Sequence, residues 1–467
     1  MKFLQSLLGI SSSSISFSIS DFSESQLHFI FAGKTRFAVR DGLLCRVSGP
    51  RFFNVSSEEY SKRNYANNVA EYNTVLGSLN AQRRMFLLRD VYDDMMLDGV
   101  KPTRDTFHSL AVGSMRVSNM QDAFFFKDQM KTMGLVPDVT FYNFLISTCG
   151  KCKIADQAIQ ILEEMKSMEV KPNVQTYICL LHACAAQGRI DRVYAIVRDM
   201  TAAGLGLNKF CYAGLIVAHK NKAPFTDDFD AKVTEFVERS KIWTSVETDS
   251  ANAENVMMGV SDEELYNLPT ADYVNRRAGF LNRQFTAYHT AFNAAADFKN
   301  VKLTDELLEM LSKENKTPDI YISMQVIRCY CRAGEIDRGL QYFDDCINLG
   351  KGNAAELYVT LAEGAMVGYT EKGMQISQDT LVRMNERNFF MNSKMGSELL
   401  LMAAGEKTGG YTNANYIWDL MRARNVYPSL AAVEAYYQGL KDRQIPQDDP
   451  RLMLVTQMYN NLRSRFR

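Results

Sequence analysis

The 467-residue chain has no run of about 18 uncharged apolar residues, so no stretch reads as a transmembrane helix. Neither sign of charge is in surplus, because 53 Lys and Arg stand against 54 Asp and Glu. That balance excludes a histone-like or polybasic nucleic-acid binder while leaving room for a local basic face. Proline is scarce, at 10 residues. The nine cysteines are odd in number and irregularly spaced, which excludes a disulfide scaffold and points to reduced thiols. Of the five histidines (His28, His108, His182, His219, His289), none is followed two residues later by Glu, so the His-x-Glu half of a zinc deaminase site is missing. No nucleophile elbow, Ser-His-Asp arrangement or glycine-rich nucleotide fingerprint occurs. Cys149-Gly150-Lys151-Cys152 has Cys-x-x-Cys spacing, but no second ligand pair completes a tetrahedral zinc site, and a core thiol plus a turn residue is the better reading. No enzyme, cofactor, metal site or small-molecule substrate is expected.

What is present begins with an unusual amino terminus. Residues 1–53 are rich in serine (Ser11 to Ser14, Ser16, Ser18, Ser20), then carry Arg36, Arg40, Arg46 and Arg51, with few acids. Organelle transit peptides have this composition, and Arg51-Phe52-Phe53 resembles a mitochondrial processing site. A mitochondrial location is expected, with plastid as the alternative.

The remaining length is too great for one compact core and calls for several domains or one extended array. Internal periodicity decides for the array. Met95, Met130, Met165 and Met200 are spaced evenly, and the aromatics Tyr72, Phe107, Tyr142, Tyr177 and Tyr212 keep the same step, as do Pro102, Pro137 and Pro172. The period is about 35 residues, within the range of helical-hairpin solenoids. Within Val139 to Asn173, Phe141, Tyr142, Leu145, Ile146 and Cys149 form one apolar helical stripe, and Ala158, Ile161, Leu162 and Met165 form a second. Asp156, with Asp191 and Asp337 at the same place in their units, is the expected cap of the second helix. A lone hairpin buries too little surface to be stable, so neighbours stack. The expected fold is all-α, a right-handed α-solenoid of about eight or nine hairpins with a concave face, its periodic methionines in the core.

Glu71-Tyr72-Asn73-Thr74-Val75-Leu76, Thr140-Phe141-Tyr142-Asn143-Phe144-Leu145-Ile146 and the closing turns Gly134-Leu135-Val136-Pro137-Asp138 and Val170-Lys171-Pro172-Asn173 resemble the pentatricopeptide repeat family. The resemblance is strong over 69–208 and weak over 209–243. Residues 54–68 are expected as an amino-terminal cap and 69–243 as a first array. From Thr244 to Asn275 there are seven acids and no Lys or Arg, so 244–284 is expected as an acidic linker or insertion, a solvated spacer, with a partner-docking segment as the alternative. The pattern resumes at Phe285, and 285–467 is expected as a second, degenerate array with a carboxy-terminal cap.

The resemblance implies that the residue after the helix-one aromatic and the last residue of the repeat contact one RNA base together. Carried over, the pairs are Asn73 with Thr103, His108 with Asp138, Asn143 with Asn173, Ile178 with Asn208, and His289 with Asp319. Only Asn143 with Asn173 matches a familiar combination, one favouring a pyrimidine. Ile178, Met324, Val359 and Leu399 carry no base-reading group. A long sequence-specific tract is therefore a poor fit, and a neutral chain is poorly supplied for a single-strand backbone. The resemblance implies an RNA- and protein-binding scaffold. The expected setting is the mitochondrial ribosome, with ribosomal RNA and ribosomal or other organellar proteins as partners. The alternative is a free organellar factor for transcript stabilisation, processing or translation.

Overall fold

The structure, a computed structural model, describes residues 36–40, 43–47, 65–223, 228–242, 259–389 and 391–465. The expected transit segment lies outside these residues, apart from an antiparallel strand pair, β1 (Arg36–Arg40) and β2 (Leu43–Val47), with Arg36 opposite Val47. Of the expected amino-terminal cap, only 65–68 is described.

From Val69 onward the described chain is helical and runs as ten helix pairs. Five precede the acidic stretch: Val69–Ala81 with Leu88–Leu97, Arg104–Arg116 with Met120–Thr132, Val139–Lys151 with Ala155–Ser167, Val174–Ala186 with Ile190–Ala202, and Lys209–Asn221 with Phe229–Ile242. Five follow it: Thr286–Asp297 with Val301–Lys313, Ile320–Ala333 with Ile336–Cys346, Ala355–Ala365 with Glu371–Glu386, Ser393–Ala404 with Thr412–Ala423, and Leu430–Asp442 with Pro450–Arg465. The last pair ends the described helices.

First helices pack on one another all along the chain, whereas second helices pack mainly on the first helix of their own pair. The first helices therefore form the tighter, inner layer, and the second helices splay outside it. Lys209–Asn221 packs directly on Thr286–Asp297. The acidic stretch interrupts the sequence but not the stack.

The periodic residues have local causes. Gly99, Gly134 and Gly204 close their units with φ of 69°, 77° and 73°, the left-handed conformation that glycine adopts without a Cβ penalty. The amide after each returns to the carbonyl of the periodic methionine: Val100 to Met95, Leu135 to Met130, Leu205 to Met200. Met95, Met130, Met165 and Met200 are all fully buried. They are core residues at helix ends, so the methionine and glycine periods belong to one motif.

The caps differ from expectation. Asp156, Asp191 and Asp337 sit in the first turns of helices whose caps are Ile154, Arg189 and Glu335, and none of these caps through its side chain. The aspartates favour the positive end of the helix dipole without capping it, and they pair outward: Asp156 with Arg189 at 3.2 Å, Asp337 with Lys372 at 2.6 Å. Side-chain caps occur on some second helices, at Asn119, Asn300 and Thr370, and on first helices at Asp138, Asn173, Asn208 and Asp319. Each of these four first-helix caps is the last residue of a repeat and a candidate base reader.

Candidate nucleic-acid interface

Four of the five proposed reader pairs are joined by hydrogen bonds at a repeat junction, because a side chain about one turn into one first helix reaches the cap of the next. Asn73 donates to the Thr103 hydroxyl at 3.2 Å and accepts from Thr106 at 2.6 Å. His108 Nε2 lies 2.9 Å from Asp138 Oδ1. Asn143 donates to Asn173 Oδ1 at 3.4 Å, while its own Oδ1 accepts from Thr176 at 2.7 Å. His289 Nε2 lies 2.7 Å from Asp319 Oδ2. Asn208 accepts from the Phe210 and Cys211 amides, and its expected partner Ile178 is buried and has no hydrogen-bonding group.

Capping uses the same oxygen at Asp138 and Asn173 and the other carboxylate oxygen at Asp319. Asp138 accepts from the Phe141 amide, Asn173 from that of Thr176 and Asp319 from that of Ile322. Burial opposes ionisation of Asp138, but the His108 bond and charge, the Phe141 amide and nearby Arg104 outweigh it and hold its carboxyl below the usual value. Asn143 is 2% exposed and His289 1%. Asn143, expected as a base contact, is thus covered by the stacking of the next hairpin, and its polar atoms are satisfied within the protein. Thr106 and Thr176 complete these junctions and were not singled out from sequence. Their signal is a capping-box spacing, three residues after the cap.

The larger correction concerns the acidic stretch. Of the expected 244–284 spacer, 244–258 lies outside the described residues; 259–270 lies as a strap on the inner layer, and 271–284 is mostly exposed. Ser261 caps a short helix, Asp262–Leu265. Leu265 is fully buried, as nearly are Glu263 and Glu264. Arg116, at the end of its first helix, donates to both Glu264 oxygens at 2.8 and 3.0 Å and to the carbonyls of Gly259 and Asn80. Arg83 adds a second cation 3.6 Å from Glu264, and Arg283 stands 3.6 Å from Glu263. Ser147 donates to the Leu265 carbonyl at 2.6 Å, and Asn267 returns a bond to the Ser147 carbonyl at 3.0 Å. The Tyr266 ring stacks on His182, with centroids 5.9 Å apart and planes 15° apart, and leans on Phe210. Burial lowers the Lys151 pKa while neighbouring Glu264 opposes that fall. Among the described acids of this stretch, Glu264 and Asp272 reach cations more than a hundred residues away, Arg116 and Lys394, whereas Glu263 reaches Arg283 beyond the base-free run. Arg116 and Lys151 stand one repeat apart at the same helix-end position, a basic signal present in the sequence.

Cys149 is buried and its thiol is pushed up to about 12, chiefly by desolvation, while Cys152 donates to the Ser118 carbonyl. Among the described residues, no group of three or more His, Cys, Asp or Glu is arranged to hold a metal. No described helix is long and apolar enough to cross a membrane.

Hairpins of one period, stacked in two layers with polar junctions along the inner one, define an α-solenoid repeat protein. Profiles described as the PPR repeat family, a pentatricopeptide repeat domain and the PPR repeat match residues 137–186, 108–152, and 175–205 with 324–350 respectively. The chain is 59% identical to the Arabidopsis thaliana pentatricopeptide repeat-containing protein At4g35850, mitochondrial, over 93% of this chain and 96% of that one. The chain belongs to the pentatricopeptide repeat family. Among solved structures, it is similar to PPR10 in complex with an 18-nt psaJ RNA element, at 16% identity and TM-score 0.48. That match covers 86% of this chain and about half, 54%, of PPR10. A second likeness, to nuclear proteinaceous RNase P 2 of A. thaliana, has 16% identity and TM-score 0.32, covering 37% of this chain and 39% of that one.

Proposed function

We propose that the protein is a non-catalytic scaffold of the mitochondrial ribosome that touches ribosomal RNA and neighbouring proteins at scattered points. The observation that carries this reading is the mutual engagement of the reader pairs. His108 with Asp138, Asn143 with Asn173, and His289 with Asp319 spend their hydrogen-bonding atoms on each other and on helix caps. A base edge arriving there meets few free donors or acceptors, so a long single-stranded tract is poorly served. A shaped surface remains, and large ribonucleoproteins use such surfaces. The mitochondrial setting rests on the leader composition and on the name of the 59% identical Arabidopsis relative.

Sedimentation of an organellar lysate through a sucrose gradient at high salt tests this reading. Migration with a ribosomal subunit is expected, and recovery only in the soluble fractions would defeat it. The second reading, a free RNA-binding factor for transcript stabilisation, processing or translation, draws on Asn143 with Asn173, the one combination that resembles a pyrimidine-favouring pair. It predicts the soluble fractions.

A further inference from the structure

The strap brings to the inner layer the chemistry that single-stranded nucleic acid would bring. Such ligands bind through anionic groups on cations and flat rings on aromatic side chains. Glu264 supplies two carboxylate oxygens to Arg116 and stands beside Arg83. Two residues on, the Tyr266 ring lies over His182 at a stacking angle. One further residue on, Asn267 makes an amide contact with Ser147. An anion, a stacked ring and an amide thus follow in order along an irregular segment that crosses the second, third and fourth first helices. The segment is held by side chains of the array, not merely draped on it.

We propose that residues 259–268 are a built-in occupant of the inner groove, which takes single-stranded RNA only when this strap is displaced. Arg83, Arg116, His182 and Ser147 are then the groove's latent nucleic-acid contacts, with the strap as their intramolecular competitor. Two features make the strap displaceable. Glu263 keeps one buried carboxylate oxygen without a hydrogen-bond partner, an unfavourable arrangement that departure relieves. The packing of Lys209–Asn221 on Thr286–Asp297 also does not run through the strap, so the stack persists when it leaves. The proposal concerns the isolated chain and stands apart from ribosome association, so a failed gradient and a failed groove are distinguishable.

The test compares the full chain with the double variant Glu263→Gln/Glu264→Gln, titrating each into labelled oligouridylate at low salt. The variant is expected to bind about tenfold more tightly, with a steeper salt dependence, because Glu264 no longer competes for Arg116 and Arg83 and the strap carries two fewer anions. Equal affinity in the two proteins, or no binding by either, overturns the proposal. Hydrogen exchange on the unaltered chain guards against a variant that fails to fold. Oligouridylate at saturation is expected to raise exchange in 262–268 while leaving 139–151 protected. Unchanged protection of 262–268 with RNA bound overturns the proposal independently.

Discussion

Arg116 and Glu264, 148 residues apart in sequence, meet through two parallel hydrogen bonds of 2.8 and 3.0 Å, with both side chains more than nine-tenths buried. A buried pair of this kind ties the strap to the array and leaves a severe deficit when one partner is lost. Arg116→Met is expected to lower unfolding free energy by about 3–5 kcal/mol in urea titration, because Glu264 remains buried without its cation. Arg116→Met combined with Glu264→Met is expected to recover most of that loss. A double variant as unstable as the single one would show that the pair is not the anchor.

Asn143→Ala is expected to cost about 1–2 kcal/mol, since it removes a partner from both Asn173 and Thr176 at a buried junction. An exposed reader would tolerate alanine at little cost. A thermal midpoint within about a degree of the unaltered protein would place Asn143 on the surface after all.

Tyr142, next to it, is fully buried and directs its hydroxyl to Glu164 at 3.3 Å. Tyr142→Ala is expected to destabilise by about 3 kcal/mol through the cavity it leaves. Tyr142→Phe is expected to cost much less, because packing dominates over one long hydrogen bond. Calorimetry on the two variants separates these contributions.

Acid should weaken the array through His182. Burial pushes its pKa down to about 4, although the bond to the Phe210 carbonyl opposes the shift. The unfolded chain takes up this proton near pH 6.5, whereas the folded chain resists until about 4. The stability tied to neutral His182 is therefore complete above pH 6.5 and lost progressively as pH falls from 6.5 to about 4, up to about 3 kcal/mol. His182→Gln keeps a donor for Phe210 but cannot titrate, so its stability should fall less across that window. Identical pH profiles would remove His182 from the account.

The array was legible because its markers are local and repeated. A buried methionine, a left-handed glycine and an aromatic return every 35 residues, and each marks a helix end or stripe. The junctions were half legible. The pairs that the resemblance implies meet at four of the five junctions, but whether Asn143 faces solvent or Asn173 depends on how closely the next hairpin approaches, which one sequence does not encode. The strap was misread for a different reason. Glu264 takes its cations, Arg116 and Arg83, from the far end of the array, while Glu263 takes Arg283, which lies beyond the base-free run. The misplaced caps are a matter of two residues: Asp156 stands in the first turn, where a carboxylate is favoured, rather than before it.

Crosslinking in intact mitochondria, followed by sequencing of the attached RNA, tests the central claim most directly. With the readers engaged on each other, contacts are expected to scatter over ribosomal RNA with no dominant single-stranded motif. One sharp site in a single messenger transcript, lost in Asn143→Ala, would contradict the scaffold account and restore the inner layer as a sequence reader.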